Sequence, residues 1–221
     1  MRHICLQYGL PHPDSWLISK PTKLQVKKAT KSAVLEYWLA KLREKAATLS
    51  SLRYLRTNFL GLTKCHPLFR SCGSSPWETE KATTQARLLS GRYRVEALSG
   101  HWVAWNREGM CSLPMCWKTA NAHRGTVESF LLSCPSLSQT RASLMQYNED
   151  FLIANLDFFS LVRVCVRSDP VQFWLDCSTM SQVIVAGQKC DKSESVLYPL
   201  FKLTRNYCHT LHKERMNLLK E

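Results

Sequence analysis

The chain has 221 residues, 45% hydrophobic and 21% charged, a globular rather than a disordered balance, and it is long enough for one domain, or one domain with an ordered tail. Formal net charge is +13 and is unevenly placed: residues 1–110 carry 18 Lys and Arg against 7 Asp and Glu, net +11, whereas residues 111–221 carry 12 against 10, net +2, so the first half is the expected polyanion-binding face. Met1-Arg2-His3 leads into only three apolar residues, and no apolar run approaches the roughly eighteen that a membrane span needs; secretion and membrane insertion are not expected, and the ten cysteines read as free or metal-bound thiols in an intracellular, nuclear or cytoplasmic, compartment.

Residues 1–21 contain Gly9, Pro11, Pro13 and Pro21 and read as an irregular segment. A basic helical region follows over residues 22–74. From Thr22 to about Leu49, Val26, Ala33, Val34, Tyr37, Trp38, Leu42 and Ala46 recur at three and four, predicting a helix whose other side carries Lys27, Lys28, Lys31, Lys41, Arg43 and Lys45. Two readings stand for that side: a solvated basic face, or contact with a nucleic-acid backbone through Lys27, Lys28 and Lys31. Tyr37 and Trp38 fall on the apolar stripe, so base stacking is not expected here. Leu52, Leu55, Phe59 and Leu62 suggest a further short helix. Cys65, His66 and Cys72 have metal-ligand chemistry but no fourth partner, and packing and turn formation account for them.

Residues 75–135 pair a capped helix with a Cys/His knuckle. Ser75 suits an N-cap, Pro76 the first helical position, and Glu78 the third position of a capping box; Gly91 supplies a left-handed residue after the last turn, predicting a helix from about Pro76 to Ser90. Arg87, Arg92 and Arg94 cluster at its end, where they complement the helix dipole or grip phosphate. Four residues, Pro114 among them, separate Cys111 from Cys116, and with His123 and Cys134 they make the ligand set of a closed, structural Cys₃His zinc site. The competing reading is three buried thiols and a loop histidine.

Residues 136–221 form a C-terminal helical region. Helices are expected over Leu137–Tyr147 and from Asp150 to about Val166, and Ser168-Asp169-Pro170 signals a new start. Ser181–Gly187 fits either a helix or a short strand. Glu194–Leu219 is strongly amphipathic, with Leu197, Leu200, Phe201, Thr204, Cys208, Leu211 and Leu218 on one side, Pro199 near the helix start, Arg205, Lys213 and Arg215 off the stripe, and His209 and His212 at a core edge. The fold implied is all-α, an irregular assembly of about six to eight helices with a Cys/His-containing loop and few or no strands.

The run QARLLSGRYRVEALSGHW, followed by the Cys-x4-Cys knuckle and LLSCP, resembles the C-terminal region of the reverse transcriptase reading frame of non-LTR (LINE-type) retrotransposons. ICLQYGLPHP, VLEYWLAKLR, LRYLRTNFLGLTKCHPLF and LFKLTRNYCHTLHKERMNLL look like further parts of that region in the same order, so the resemblance covers nearly the whole chain. It implies a zinc-knuckle tail downstream of a polymerase domain that this chain lacks. The family pattern ends Glu-His-x4-Cys; here Glu128 is followed by Ser129, so either His123 substitutes from a displaced position or the knuckle is degenerate.

Catalysis is not expected. Polymerase chemistry needs paired aspartates holding metal ions, and no Asp-Asp dipeptide, Gly-rich phosphate loop or His-Glu-x-x-His pair is present. The expected function is therefore that of a non-catalytic, retrotransposon-derived fragment holding an RNA or DNA backbone, with no small-molecule substrate and with an upstream polymerase domain as partner in the full-length element. The alternative is a helical protein-interaction module or a non-functional translated relic of a transposable element.

Overall fold

A computed structural model describes residues 2–49, 52–56, 65–93, 110–118, 124–153, 156–189 and 193–220. The chain divides into two compact units, Met1–Lys64 and Cys65–Glu221. The all-α expectation holds: eleven α-helices occur among the described residues, and the one β-type pairing there is an isolated antiparallel bridge between Met110 and Arg124. The number exceeds six to eight because several helices are a turn or two long, too short to leave a periodic signal.

In the first unit, α1 (Arg2–Gln7) and α2 (Pro13–Ser19) form where an irregular segment was expected. The prolines start helices rather than interrupt them. His12 caps α2 by accepting from the Asp14 N–H at 3.4 Å with Pro13 in the first turn, and Lys20 ends it in a left-handed conformation at φ 44°. The long helix α3 (Lys23–Thr48) opens on a reciprocal capping box: the Gln25 N–H donates to Thr22 Oγ1 at 3.3 Å and the Thr22 N–H to Gln25 Oε1 at 2.8 Å. Its apolar stripe is only partly covered. Tyr8 meets Tyr37 edge-on at 4.9 Å, but α3 contains no fully buried residue, and Leu24 and Trp38 are exposed, as are Ile4, Leu6, Leu17 and Ile18 on the shorter helices.

The second unit has a well-packed core. It comprises α4 (Pro67–Arg70), α5 (Pro76–Leu89), α6 (Pro114–Lys118), α7 (Ser138–Ile153), α8 (Leu156–Ser168), α9 (Pro170–Asp176), α10 (Ser181–Lys189) and α11 (Ser193–Leu218). The segment expected as a helix up to Val166 is two helices, since α7 continues to Ile153 and α8 begins at Leu156; Ser181–Gly187 resolves as the helix α10. Asp169 caps α9 by accepting from the Gln172 N–H at 3.0 Å, with Pro170 at the first position, as its sequence signals.

The last helix, α11, is the centre of this unit. Leu200, Phe201, Thr204, Tyr207, Cys208 and Leu211 are buried along it against α5, α9 and α10. Pro199 lies inside α11 rather than near its start; the proline removes one backbone donor, and the buried Val196, Leu200 and Phe201 on either side hold the helix through it. Arg205, expected off the stripe, is buried as well. Its guanidinium donates to the Leu68 carbonyl at 3.1 Å, to the Ser71 hydroxyl and carbonyl, and to Glu78 at 2.9 Å, joining α4, α5 and α11. Glu78 therefore turns to Arg205 and Lys81, and only the Ser75 half of the expected capping box forms, with the Glu78 N–H donating to Ser75 Oγ at 3.4 Å.

Gln85 makes the second tie. Its amide donates to the carbonyls of Trp174 and Leu175 at 2.8 and 3.0 Å and reaches Thr204 Oγ1 at 3.1 Å. Helix α9 is so short that its last carbonyls lack intrahelical donors, and this buried amide supplies one. Trp174 stacks on Tyr207 at 3.8 Å and 14°, and the Tyr207 hydroxyl donates to the Leu131 carbonyl at 2.7 Å, carrying the core from α11 to the segment that leads into the cysteine site.

Candidate metal centre and basic surfaces

Two short arms bring the knuckle cysteines together. The Met110–Arg124 bridge closes the loop bearing Cys111 and Cys116, and α6, started by Pro114, turns Cys116 back, its N–H bonded to the Leu113 carbonyl at 3.0 Å. Cys134 arrives from the other side at the end of a π-helical turn, Ser129–Ser133, where its N–H donates to the Ser129 carbonyl at 2.7 Å. Such wide turns are uncommon and occur mostly where a chain serves a site. Pro135 stops the turn and opens a 3₁₀ turn, Pro135–Leu137, while Arg141 donates to the Cys134 carbonyl and fixes its backbone.

The three sulfurs lie within 4.8 Å of one another and all three residues are buried. Cys134 Sγ is 3.4 Å from Cys116 Sγ and 4.0 Å from Cys111 Sγ. A tetrahedral zinc with metal–sulfur bonds of about 2.3 Å places its sulfurs about 3.8 Å apart, so these separations match the edges of such a tetrahedron. None of the three is in a disulfide. The hydrogen bond toward Cys134, together with burial, pushes the Cys111 thiol well up, and the same bond pulls Cys134 below the ordinary thiol value, so Cys134 is the thiol that ionises ahead of Cys111.

Beside the thiols is a cavity of about 10 Å³, near the room one water needs, lined by Cys111, Leu113, Ser129, Phe130, Cys134 and Arg215 among others. The Ser129 hydroxyl is buried and has no hydrogen-bond partner among the described residues. Ser129 thus sits beside the thiols at the place where the resembled pattern has histidine. His123, the expected fourth ligand, lies outside the described residues. Arg215 is not a candidate in the sequence: it is buried at the same cavity, its guanidinium 5.5 Å from the Tyr93 ring centre. Only proximity in the fold reveals it, since α11 is remote from the knuckle in sequence.

Among the described residues this is the one cluster of three or more metal-ligating side chains. His66 caps α4, accepting from the Leu68 N–H at 3.2 Å, and its Nε2 lies 3.3 Å from the Asp176 carboxylate, while the Cys72 thiol donates to the Leu68 carbonyl at 3.3 Å. His209 Nδ1 is 3.4 Å from Thr84 Oγ1 and His212 Nδ1 is 3.0 Å from the Tyr93 hydroxyl; burial lowers both imidazoles, so these are packed, neutral core-edge residues. Lys27, Lys28 and Lys31 are exposed along α3 of the first unit, Arg87 and Arg92 are exposed at the end of α5 in the second, and Arg94 lies outside the described residues. Gly91 has φ 66°, the left-handed conformation that ends α5 and sets Arg92 beyond it. No helix among the described residues is long and apolar enough to cross a membrane. Comparison with known protein families, with characterised proteins and with solved structures finds no match for this chain.

Proposed function

We propose that the chain is a non-catalytic nucleic-acid-binding fragment, derived from the C-terminal part of a non-LTR retrotransposon reverse transcriptase frame, in which a structural zinc ion is held at the cysteine site. The observation that carries the metal reading is the spacing of the three buried sulfurs, 3.4 and 4.0 Å from Cys134, close to a tetrahedral edge. Cys111, Cys116 and Cys134 supply three thiolates and His123 the fourth ligand; when bound, zinc ties the two arms of the knuckle together and supplies folding energy rather than catalysis. Lys27, Lys28, Lys31, Arg87, Arg92 and Arg94 are assigned to the phosphates, a reading supported by the charge excess of the first half and by the sequence resemblance.

Elemental analysis of the purified chain and of a Cys111→Ser, Cys116→Ser double variant tests the site: about one zinc per chain is expected, lost in the variant, and a metal-free chain would remove zinc from the reading. Nucleic-acid binding is tested by its salt dependence, each phosphate contacted adding about −0.9 to the slope of log affinity against log salt for duplex DNA and about −0.7 for a single strand. A flat dependence would instead favour a helical protein-interaction module, the reading to which the exposed Leu17, Ile18, Leu24 and Trp38 of the first unit lend support.

A further inference from the structure

The second unit carries a basic, aromatic face built by α5 and α11. On α11, Lys202, Asn206, His209 and Lys213 recur at four, three and four, which sets them in one row along the helix. On α5, Trp77 and Lys81 stand one turn apart beside that row. Lys213 Nζ is 4.1 Å from the centre of the Trp77 ring and Lys81 Nζ is 5.7 Å from it, while the buried His209 meets the indole edge-on at 5.4 Å. Trp77 is still 49% exposed, so the core orients the ring and leaves half of its surface in solvent. Next to it, Lys81, Tyr147, Lys202, Leu203 and Asn206 line a cleft of about 150 Å³, with no carboxylate among its described lining. Positive charge is in excess here. Glu78 takes Lys81 at 2.8 Å and the buried Arg205 at 2.9 Å, two cations on one carboxylate. Lys202 and Lys213 are exposed and form no ion pair among the described residues, and Glu80, exposed on α5, offsets only part of the excess.

We propose that this face binds single-stranded nucleic acid, with a base stacked on Trp77 and the flanking phosphates against Lys213, Lys81 and Lys202. The proposal rests on the nucleic-acid reading above and deepens it, adding the form of the strand and a site made of other residues. Three features select this ligand. An exposed indole among cations matches a chain in which flat bases alternate with anionic phosphates. The cleft is smaller than the roughly 300 Å³ at which sites for whole small molecules begin, so it seats part of an extended ligand. In a duplex the base faces are covered by their neighbours, whereas a single strand can present one to the indole. Lys213 gives way readily, because an exposed cation–π contact is weaker than a base stack and the freed ammonium gains a phosphate. From Lys202 to Lys213 the helix runs about 16 Å, which a strand stacked at about 3.4 Å per nucleotide covers with about five nucleotides.

The test uses the full chain and two fluorescein-labelled probes read by anisotropy, an oligothymidylate of about twelve nucleotides and a duplex of equal length. The unaltered chain is expected to bind the single strand. Trp77→Ala is expected to weaken that binding about five- to 150-fold, the worth of one base stack, with Trp77→Phe restoring most of it and the duplex affected by less than about twofold. The Lys202→Ala, Lys213→Ala double variant, at exposed positions, is expected to reduce the slope of log affinity against log salt by about 1.4 for the strand, 0.7 for each phosphate released. A Trp77→Ala chain that binds the strand as the parent does, an equal loss for strand and duplex, or an unchanged slope in the lysine variant would each overturn the site. So would polyglutamate competing as well as the strand, which would assign the face to an acidic protein. A parent that binds neither probe removes the nucleic-acid reading as a whole. Strand binding kept by the Trp77 and lysine variants but lost on Lys27→Ala, Lys28→Ala, Lys31→Ala substitution removes this site alone.

Discussion

Replacing Arg205 by Met separates the two roles of the buried guanidinium, since the apolar side chain keeps much of the volume and removes the charge. In the unaltered chain Arg205 holds the Leu68 and Ser71 carbonyls and Glu78, at an exposure of 2%. Losing one partner of a buried ion pair costs about 3–5 kcal/mol. Glu78 retains Lys81 at 2.8 Å and keeps some solvent contact, so the lower end, about 3 kcal/mol, is expected. For a unit of this size each kcal/mol corresponds to about 2–4 °C in Tm, giving a fall of about 6–12 °C in a calorimetric scan. The acid limb should change too. Burial raises Glu78, but the hydrogen bonds from Lys81 and Arg205 outweigh it and hold the carboxyl below its ordinary value. A carboxyl depressed in the folded state stabilises above its unfolded value and loses that contribution as pH falls through the folded one. Arg205→Met should therefore lose less stability between neutral pH and pH 3 than the unaltered chain does. A Tm within 2 °C of the parent, with an unchanged acid limb, would refute the argument that this network ties α4 and α5 to α11.

Ser75→Ala removes the acceptor for the Glu78 N–H and is expected to cost about 1 kcal/mol, read as a lower urea midpoint with an unchanged slope. Trp174→Ala should cost about 3–5 kcal/mol, because it deletes the stacked partner of Tyr207 and leaves a void in the core; a loss under 1 kcal/mol by urea denaturation would contradict the packing described. His209 and His212 are lowered chiefly by burial, so the unfolded chain binds their protons first, and stability should decline as pH falls below about 6.5, more in the parent than in a His212→Gln variant. Iodoacetamide should label Cys65, which is exposed, well before Cys177 and Cys208, which are fully buried and whose thiols burial pushes up; mass spectrometry of the native chain reads the order.

What was legible in the sequence was what depends on neighbours a few residues away. Ser75, Asp169 and Gly91 announced the ends of α5 and the start of α9, because caps and left-handed residues act within one turn. The stripe on α11 announced its buried face for the same reason. Prolines misled in both directions, since Pro13 starts a helix within a segment expected to be irregular and Pro199 is carried inside one by flanking buried side chains. Arg205 and Arg215 lie off the apolar stripe in sequence, where a charge is ordinarily solvated; their burial depends on partners on other elements, Glu78 and Ser71 for the first and the Tyr93 ring for the second. The thiols Cys111, Cys116 and Cys134 are legible in the composition and their convergence is observed, but Ser129 as a buried hydroxyl beside them, without a hydrogen-bond partner among the described residues, follows from the π-helical turn, which no local pattern signals.

The central place of α11 also bears on how the second unit is made. Gln85 bonds to carbonyls about ninety positions away and to Thr204 at a separation of 119, and Arg205 reaches Leu68 across 137. During synthesis α4 and α5 emerge long before the helix that satisfies their buried polar groups. Until α9 and then α11 are released, the apolar faces of α4 and α5 and the Gln85 amide lack their native partners, and contacts at such separations form slowly once they can. The second unit therefore acquires its core late and nearly all at once. A chain shortened to end before Ser193, so that α11 is removed whole, should behave as an unfolded, protease-sensitive polypeptide over residues 65–192, not as a smaller version of the same domain.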